Sequence, residues 1–216
     1  MICVSLAKMN FKKLLQALQK AAMAEIRLDE MALTKKEIAR VFAMPLPLIA
    51  TCRPGRYAEA KRLEMLSAAV ANGAAYIDIE MDANGAYHDA LQRLADDHHS
   101  RIIISYHNEK ETPLKKQLNR IIGRCFSQGA DIVKVACQVC RREDVLRIIA
   151  LYEHALAEEG SLIALGMGEQ GKWTRVAAPL LGAPFTYAAL APGRETAAGQ
   201  MSVARMAKLI SELKGA

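Results

Sequence analysis

The chain has 216 residues, 52% hydrophobic and 24% charged, which excludes disorder and supplies enough apolar surface for a core without covalent staples. Lys and Arg, 29 together, exceed the 23 acids for a net charge of +6, but they are interleaved with acids and only 5% of residues are aromatic, so no nucleic-acid surface is expected. No run approaches eighteen apolar residues and Met1 to Asn10 has no leader pattern, so neither a membrane span nor a secretory signal is expected, and an odd count of 5 cysteines reads as reduced thiols in the cytoplasm.

Apolar, β-rich runs are expected as strands at Ile2–Leu6, Ala24–Leu28, Leu48–Arg53, Tyr76–Met81, Ile102–His107, Asp131–Val135, Leu162–Gly166 and Phe185–Leu190. Between them, three- and four-residue apolar spacing predicts helices over Phe11–Met23, Ala58–Ala71, Leu114–Ser127 and Asp144–Glu158, with a last helix at Met201–Leu213. Strand alternating with helix implies parallel strands. Eight units of about 27 residues fit a compact (β/α)8 barrel, an α/β fold of one domain over residues 1–216, with a doubly wound open sheet as the alternative.

Side-chain parity favours the barrel, because successive strand residues face opposite sides and only a barrel has a private interior. In Tyr76-Ile77-Asp78-Ile79-Glu80-Met81 the set Ile77, Ile79 and Met81 faces the helices, which turns Asp78 and Glu80 inward. Glu25 and Arg27 face inward likewise, with Ile26 and Leu28 outward. Over strands two to six the same reading places Glu25, Arg27, Arg53, Glu80, His107 and Lys134 inward near the carboxyl ends, where barrel enzymes build active sites. Six ionisable groups there are costly to desolvate for structure alone.

Lys134 lies in the apolar strand Asp131-Ile132-Val133-Lys134-Val135-Ala136. Apolar walls and the cations Arg27 and Arg53 disfavour its ammonium form, leaving an amine able to form a Schiff base with a ketone or aldehyde. His107 is a proton carrier near neutral pH, and Glu80 is placed to orient its imidazole.

Other motifs weigh less. Gly166-Met167-Gly168-Glu169-Gln170-Gly171 is a formal G-x-G-x-x-G, but strand eight ends Ala189-Leu190-Ala191 without the acid that a dinucleotide ribose needs. A phosphate cradle is its stronger form, since Schiff-base aldolases acting on phosphorylated sugars share the barrel and the lysine. Cys137-Gln138-Val139-Cys140 lacks partners for a four-ligand metal site and reads as two free thiols at a strand-to-helix turn, so no metal is expected. His98-His99 reads as a solvated loop pair, and His88 and His154 as surface residues on helices.

Taken together the chain resembles the type I 3-dehydroquinate dehydratases, the Schiff-base dehydratases of the shikimate pathway and aromatic amino acid biosynthesis. The carriers are Glu25-Ile26-Arg27, Thr51-Cys52-Arg53, Asp78-Ile79-Glu80, Ser105-Tyr106-His107, Lys134-Val135-Ala136, Met167-Gly168-Glu169-Gln170-Gly171 with Thr174-Arg175, and Gly199-Gln200. The resemblance implies a lyase in which Lys134 forms an imine with the C3 ketone of 3-dehydroquinate. His107 moves protons in a syn loss of water, and Glu80 pairs with His107. It also implies that Arg175 and Gln200 hold the substrate carboxylate, while Glu25, Arg27, Arg53 and Thr196 hold the hydroxyls and polar rim.

No cofactor and no membrane or nucleic-acid partner is implied; a homodimer is admitted, as is fusion to or association with shikimate dehydrogenase. A Schiff-base aldolase and a non-catalytic barrel module are the alternatives. The chain departs from the family pattern at Thr174 (for Ser), Thr196 (for Ser) and Ala198 (for Pro). Its short segment before Ile2 leads to the expectation that a hairpin plugging the barrel bottom is absent. The loop from Pro192 to Gln200 is expected to close over ligand on hinges at Gly193 and Gly199.

Overall fold

The computed structural model describes residues 1–153 and 160–215. Its strands are β1 Ile2–Leu6, β2 Ala24–Arg27, β3 Leu48–Thr51, β4 Tyr76–Glu80, β5 Arg101–Asn108, β6 Ile132–Gln138, β7 Leu162–Met167 and β8 Thr186–Ala189. The helices among the described residues are α1 Phe11–Leu18, α2 Lys35–Phe42, α3 Glu59–Val70, α4 Gly85–His98, α5 Lys115–Ser127, α6 Arg142–Ile149, α7 Lys172–Ala177 and α8 Val203–Lys214. The strands follow chain order through one eight-stranded sheet, β7-β6-β5-β4-β3-β2-β1-β8. The described residues divide into two compact units, one within 4–103 and the other made of those within 104–215 together with 1–3.

In the first unit β1 to β4 pair in parallel, with Ser5 opposite Glu25, Arg27 opposite Thr51, and Thr51 opposite Asp78. β2 and β3 are buried almost throughout, because a parallel sheet is covered on both faces. Helix starts follow sequence chemistry: Asn10 and Asn84 accept backbone N–H bonds as N-caps, and Thr34 with Glu37 forms a capping box. Arg62 on α3 donates from Nε to the Cys52 carbonyl at 2.9 Å and lies 4.9 Å from the Tyr87 ring centroid on α4, which fixes both helices at the end of β3.

Several expected elements end early, among them β3 at Thr51 rather than Arg53, β4 at Glu80 rather than Met81 and β8 at Ala189 rather than Leu190. β2 stops at Arg27 and Leu28–Glu30 turns as a short 3₁₀ helix, since Arg27 reaches Asp29 and Glu30 just beyond it. α1 stops at Leu18, short of Met23, with Lys20 and Ala21 closing tight turns onto Ala17 and Leu18. His98 is the last residue of α4 and His99 its left-handed cap, so this pair is a helix terminus rather than a loop, and both are exposed. His88 is no surface residue either: its side chain is 14% exposed and Nε2 is buried without a hydrogen bond. The helix expected over Asp144–Glu158 is shorter than that: α6 ends at Ile149 with Ala150 as its cap, and residues 154–158 of the expected span, His154 among them, lie outside the described residues.

In the second unit β6 and β7 pair over six positions, from Val133 with Leu162 to Gln138 with Met167. Tyr152 donates its hydroxyl to the Ala164 carbonyl at 3.1 Å and accepts from the Ala164 N–H at 2.9 Å, doing for β7 what a neighbouring strand would do. Ser202 caps α8, whose Met206 and Ile210 pack with Val176, Ala188 and Met201.

Candidate active site

In the 4–103 unit the strand ends carry a charged network. Glu25, 4% exposed, accepts from Thr51 Oγ1 at 3.0 Å and from the Ser5 hydroxyl. Arg27 donates from Nε and Nη2 to the two Asp29 oxygens at 3.1 and 2.7 Å and meets Glu30 at 2.9 Å. Burial works against its charge, but the Asp29 hydrogen bonds and the charges of Glu25, Asp29 and Glu30 outweigh it and raise its pKa. Arg53 donates to Asp78 Oδ2 at 2.9 Å and to Glu80. Its pKa is raised in the same way, burial being overcome by Asp78, Glu80 and Glu25.

The structure thus brings Arg53, Asp78 and Glu80 together as expected of one inward face, and adds Ser5, Asp29, Glu30 and Thr51. Asp29 and Glu30 had no signal, since they sit on a turn where strand alternation no longer applies.

In the 104–216 unit His107 lies near the end of β5 and is partly exposed. Lys134 on β6 is only 6% exposed, and its Nζ sits 4.7 Å from the centroid of the Tyr187 ring on β8. Tyr187, 3% exposed, is met edge-on by Phe185 at 5.6 Å and 67°. Nothing in the sequence reading had singled out Tyr187, although its alternation with Phe185 across Thr186 was visible.

Arg175 is placed by its neighbour. The Thr174 hydroxyl accepts from the Gly166 N–H and donates to the Gly171 carbonyl, both at 2.7 Å, so threonine performs the clamp with its extra methyl accommodated at 1% exposure. Arg175 itself is 2% exposed, its Nε is buried without a hydrogen bond, and among the described residues its Nη2 donates to the Ala198 carbonyl at 3.4 Å. Burial pulls its pKa down to about 10. A buried guanidinium with no counterion among the described residues is a place for an anion.

Thr196 and Gln200 face each other: Gln200 Oε1 accepts from the Thr196 N–H at 2.8 Å, and Gln200 Nε2 donates to Thr196 Oγ1 at 3.1 Å. The hinge expected at Gly199 is corrected. The Gly168 N–H donates to Ala198, and a Cβ on Gly199 would lie 2.2 Å from the Gly168 carbonyl oxygen, so this glycine permits a tight backbone crossing that pins the loop's carboxyl half. The G-x-G-x-x-G run serves packing too, since a Cβ on Gly171 would meet the Gly166 backbone at 2.4 Å.

The five cysteines are free; Cys137 is buried within β6, while Cys140 is exposed and lines a pocket of about 370 Å³ with Lys110 and Arg141. Among the described residues no three His, Cys, Asp or Glu side chains are grouped to hold a metal ion, and no helix is long and apolar enough to cross a membrane.

Eight strand–helix units with charged side chains at the strand ends define a (β/α)8 barrel of the enzyme type. The family model for type I 3-dehydroquinase matches residues 2–215. A 3-dehydroquinate dehydratase from Desulfotalea psychrophila is 34% identical over 214 residues, covering 95% of this chain and 94% of that protein. The chain belongs to the type I 3-dehydroquinase family and is a hydro-lyase.

Among solved structures, 3-dehydroquinate dehydratase from Geobacillus kaustophilus matches with a TM-score of 0.88 at 24% identity, covering 99% of this chain and 91% of that one. The dehydroquinate dehydratase and shikimate dehydrogenase of S. pombe AroM matches at 0.78 and 18%, covering 95% of this chain and 43% of that one. These likenesses show the barrel fold. Family membership decides against the aldolase and the non-catalytic module.

Proposed function

We propose that this chain removes water from 3-dehydroquinate to give 3-dehydroshikimate through an imine on Lys134. The observation that carries the reading is that Lys134 is the one buried lysine among the described residues, inside an apolar strand and against an aromatic face. Its amine attacks the C3 ketone, and loss of water gives a protonated imine, a far better electron sink than the ketone. His107 takes a proton from C2; the electrons move into the enamine, and the C1 hydroxyl leaves as water with a proton returned by His107. Hydrolysis of the conjugated imine frees the product and restores the amine.

Glu80 orients His107. Arg175 and Gln200 take the carboxylate, and Glu25, Arg27, Arg53 and Thr196 take the hydroxyls and rim. Residues 1–216 act as one barrel domain in the cytoplasm, without a resident cofactor or metal, as a homodimer or alongside a shikimate dehydrogenase. Borohydride reduces a protonated imine irreversibly, so protein treated with product and borohydride should carry an adduct mapped to Lys134, and Lys134→Ala should carry none and lose conversion to the ultraviolet-absorbing product. An adduct on Lys110 or Lys172 overturns the reading.

A further inference from the structure

The dehydration chemistry proposed above uses the Lys134 nitrogen as a cation, and one group set against that nitrogen is an aromatic ring. Nζ stands 4.7 Å from the Tyr187 centroid, within the range in which the negative face of an aromatic quadrupole attracts a cation. Both residues are buried, Lys134 at 6% and Tyr187 at 3% exposure, so water screens the attraction little. The ring is also held still: Phe185 meets it at 67°, and Thr186 between them is anchored through Oγ1 to the Arg175 carbonyl at 2.8 Å.

We infer that Tyr187 is the positioning residue of Lys134, its ring face holding the side-chain nitrogen in place and keeping it cationic once the imine has formed. This rests on the imine role proposed for Lys134. A neutral imine is a poor electron sink, and low-dielectric surroundings in general pull a cation toward its neutral form. The ring opposes that tendency without supplying a carboxylate, which would compete for the proton. The same attraction costs the free amine some nucleophilicity, so its benefit falls on the protonated-imine stage. The hydroxyl of Tyr187 has no part in this, because the quadrupole belongs to the ring.

The test replaces residue 187 in the full chain by Phe and then by mono-, di- and trifluorophenylalanine, which keep the shape of the ring while withdrawing electron density from its face. The rates read are turnover and borohydride trapping with product. Tyr187→Phe should stay within about twofold of wild type, and each fluorine should lower both rates in steps while the Michaelis constant changes little. Tyr187→Leu should lose about 5- to 30-fold, the size of a desolvated cation–π contact. Rates flat across the fluorinated series, with the adduct still on Lys134, overturn the role of Tyr187 alone. Absence of a Lys134 adduct in the wild-type protein overturns the imine reading beneath it.

Discussion

Replacing Arg175 with methionine removes a charge of which no described carboxylate is the partner, and the consequences run in two directions. Burial pulls the guanidinium down to about 10, and a fall of that size corresponds to a cost on the order of 3 kcal/mol for holding the charge in the folded protein. The cost is present in full at neutral pH, where folded and unfolded forms both carry the charge. A bound carboxylate removes the same cost at neutral pH. Arg175→Met should therefore raise the Michaelis constant for 3-dehydroquinate by about 10²- to 10³-fold, the effect of losing a desolvated charge pair. At the same time it should raise the melting temperature of the ligand-free protein by roughly 5 °C, allowing for some lost packing. Arg175→Lys should recover only part of the affinity, because an ammonium lacks the two-pronged geometry. Initial rates over a substrate series and thermal melts without ligand read both effects. A Michaelis constant within twofold of wild type refutes the carboxylate assignment, and a lower melting temperature refutes the argument from uncompensated charge.

Further outcomes follow from particular residues. His107→Ala should still form some borohydride adduct while turnover falls by about 10²- to 10⁴-fold, so an unchanged turnover removes His107 from the chemistry. Dialysis against a chelator should leave the rate unchanged, and restoration by a divalent ion after a loss argues for a metal. In the folded protein a thiol reagent should label Cys140 and spare Cys137, whose thiol burial pushes up to about 12; labelling of Cys137 first contradicts its placement. Gly199→Ala, with φ at +80° and a backbone oxygen 2.2 Å from the new Cβ, should displace the 198–200 segment and increase its protease sensitivity. Wild-type resistance in that variant tells against the crossing.

The strand cores were legible because alternation such as that of Ile77 with Ile79 is imposed by the pleat itself, and Asp78 and Glu80 followed from it. Element ends were not. Nothing between Leu18 and Met23 breaks a helix by composition, and the halt of β2 at Arg27 depends on where a guanidinium finds carboxylates two and three residues on. Arg175, Thr196 and Gln200 came from resemblance alone, since residues on loops and short helices obey no period. Tyr187 escaped notice because an aromatic residue in a strand has an ordinary role in the core, and its neighbour across the unit, Lys134, is more than fifty positions away in sequence.

If ligand binds at the ends of β2 to β4, the charged network there sets a filter on what can be held. Glu25, Asp29, Glu30, Asp78 and Glu80 stand against two guanidiniums, Arg27 and Arg53, with the exposed Lys8 at 3.4 Å from Glu30. Both arginines are thus spoken for, and what they and their carboxyl partners offer a visitor is hydrogen bonding without net attraction for an anion. Neutral hydroxyl groups are welcome at such a surface, whereas a phosphate would meet a surplus of negative charge and be turned away. A sugar phosphate brought to these strand ends should therefore bind more weakly than the same sugar without its phosphate, a difference set by charge.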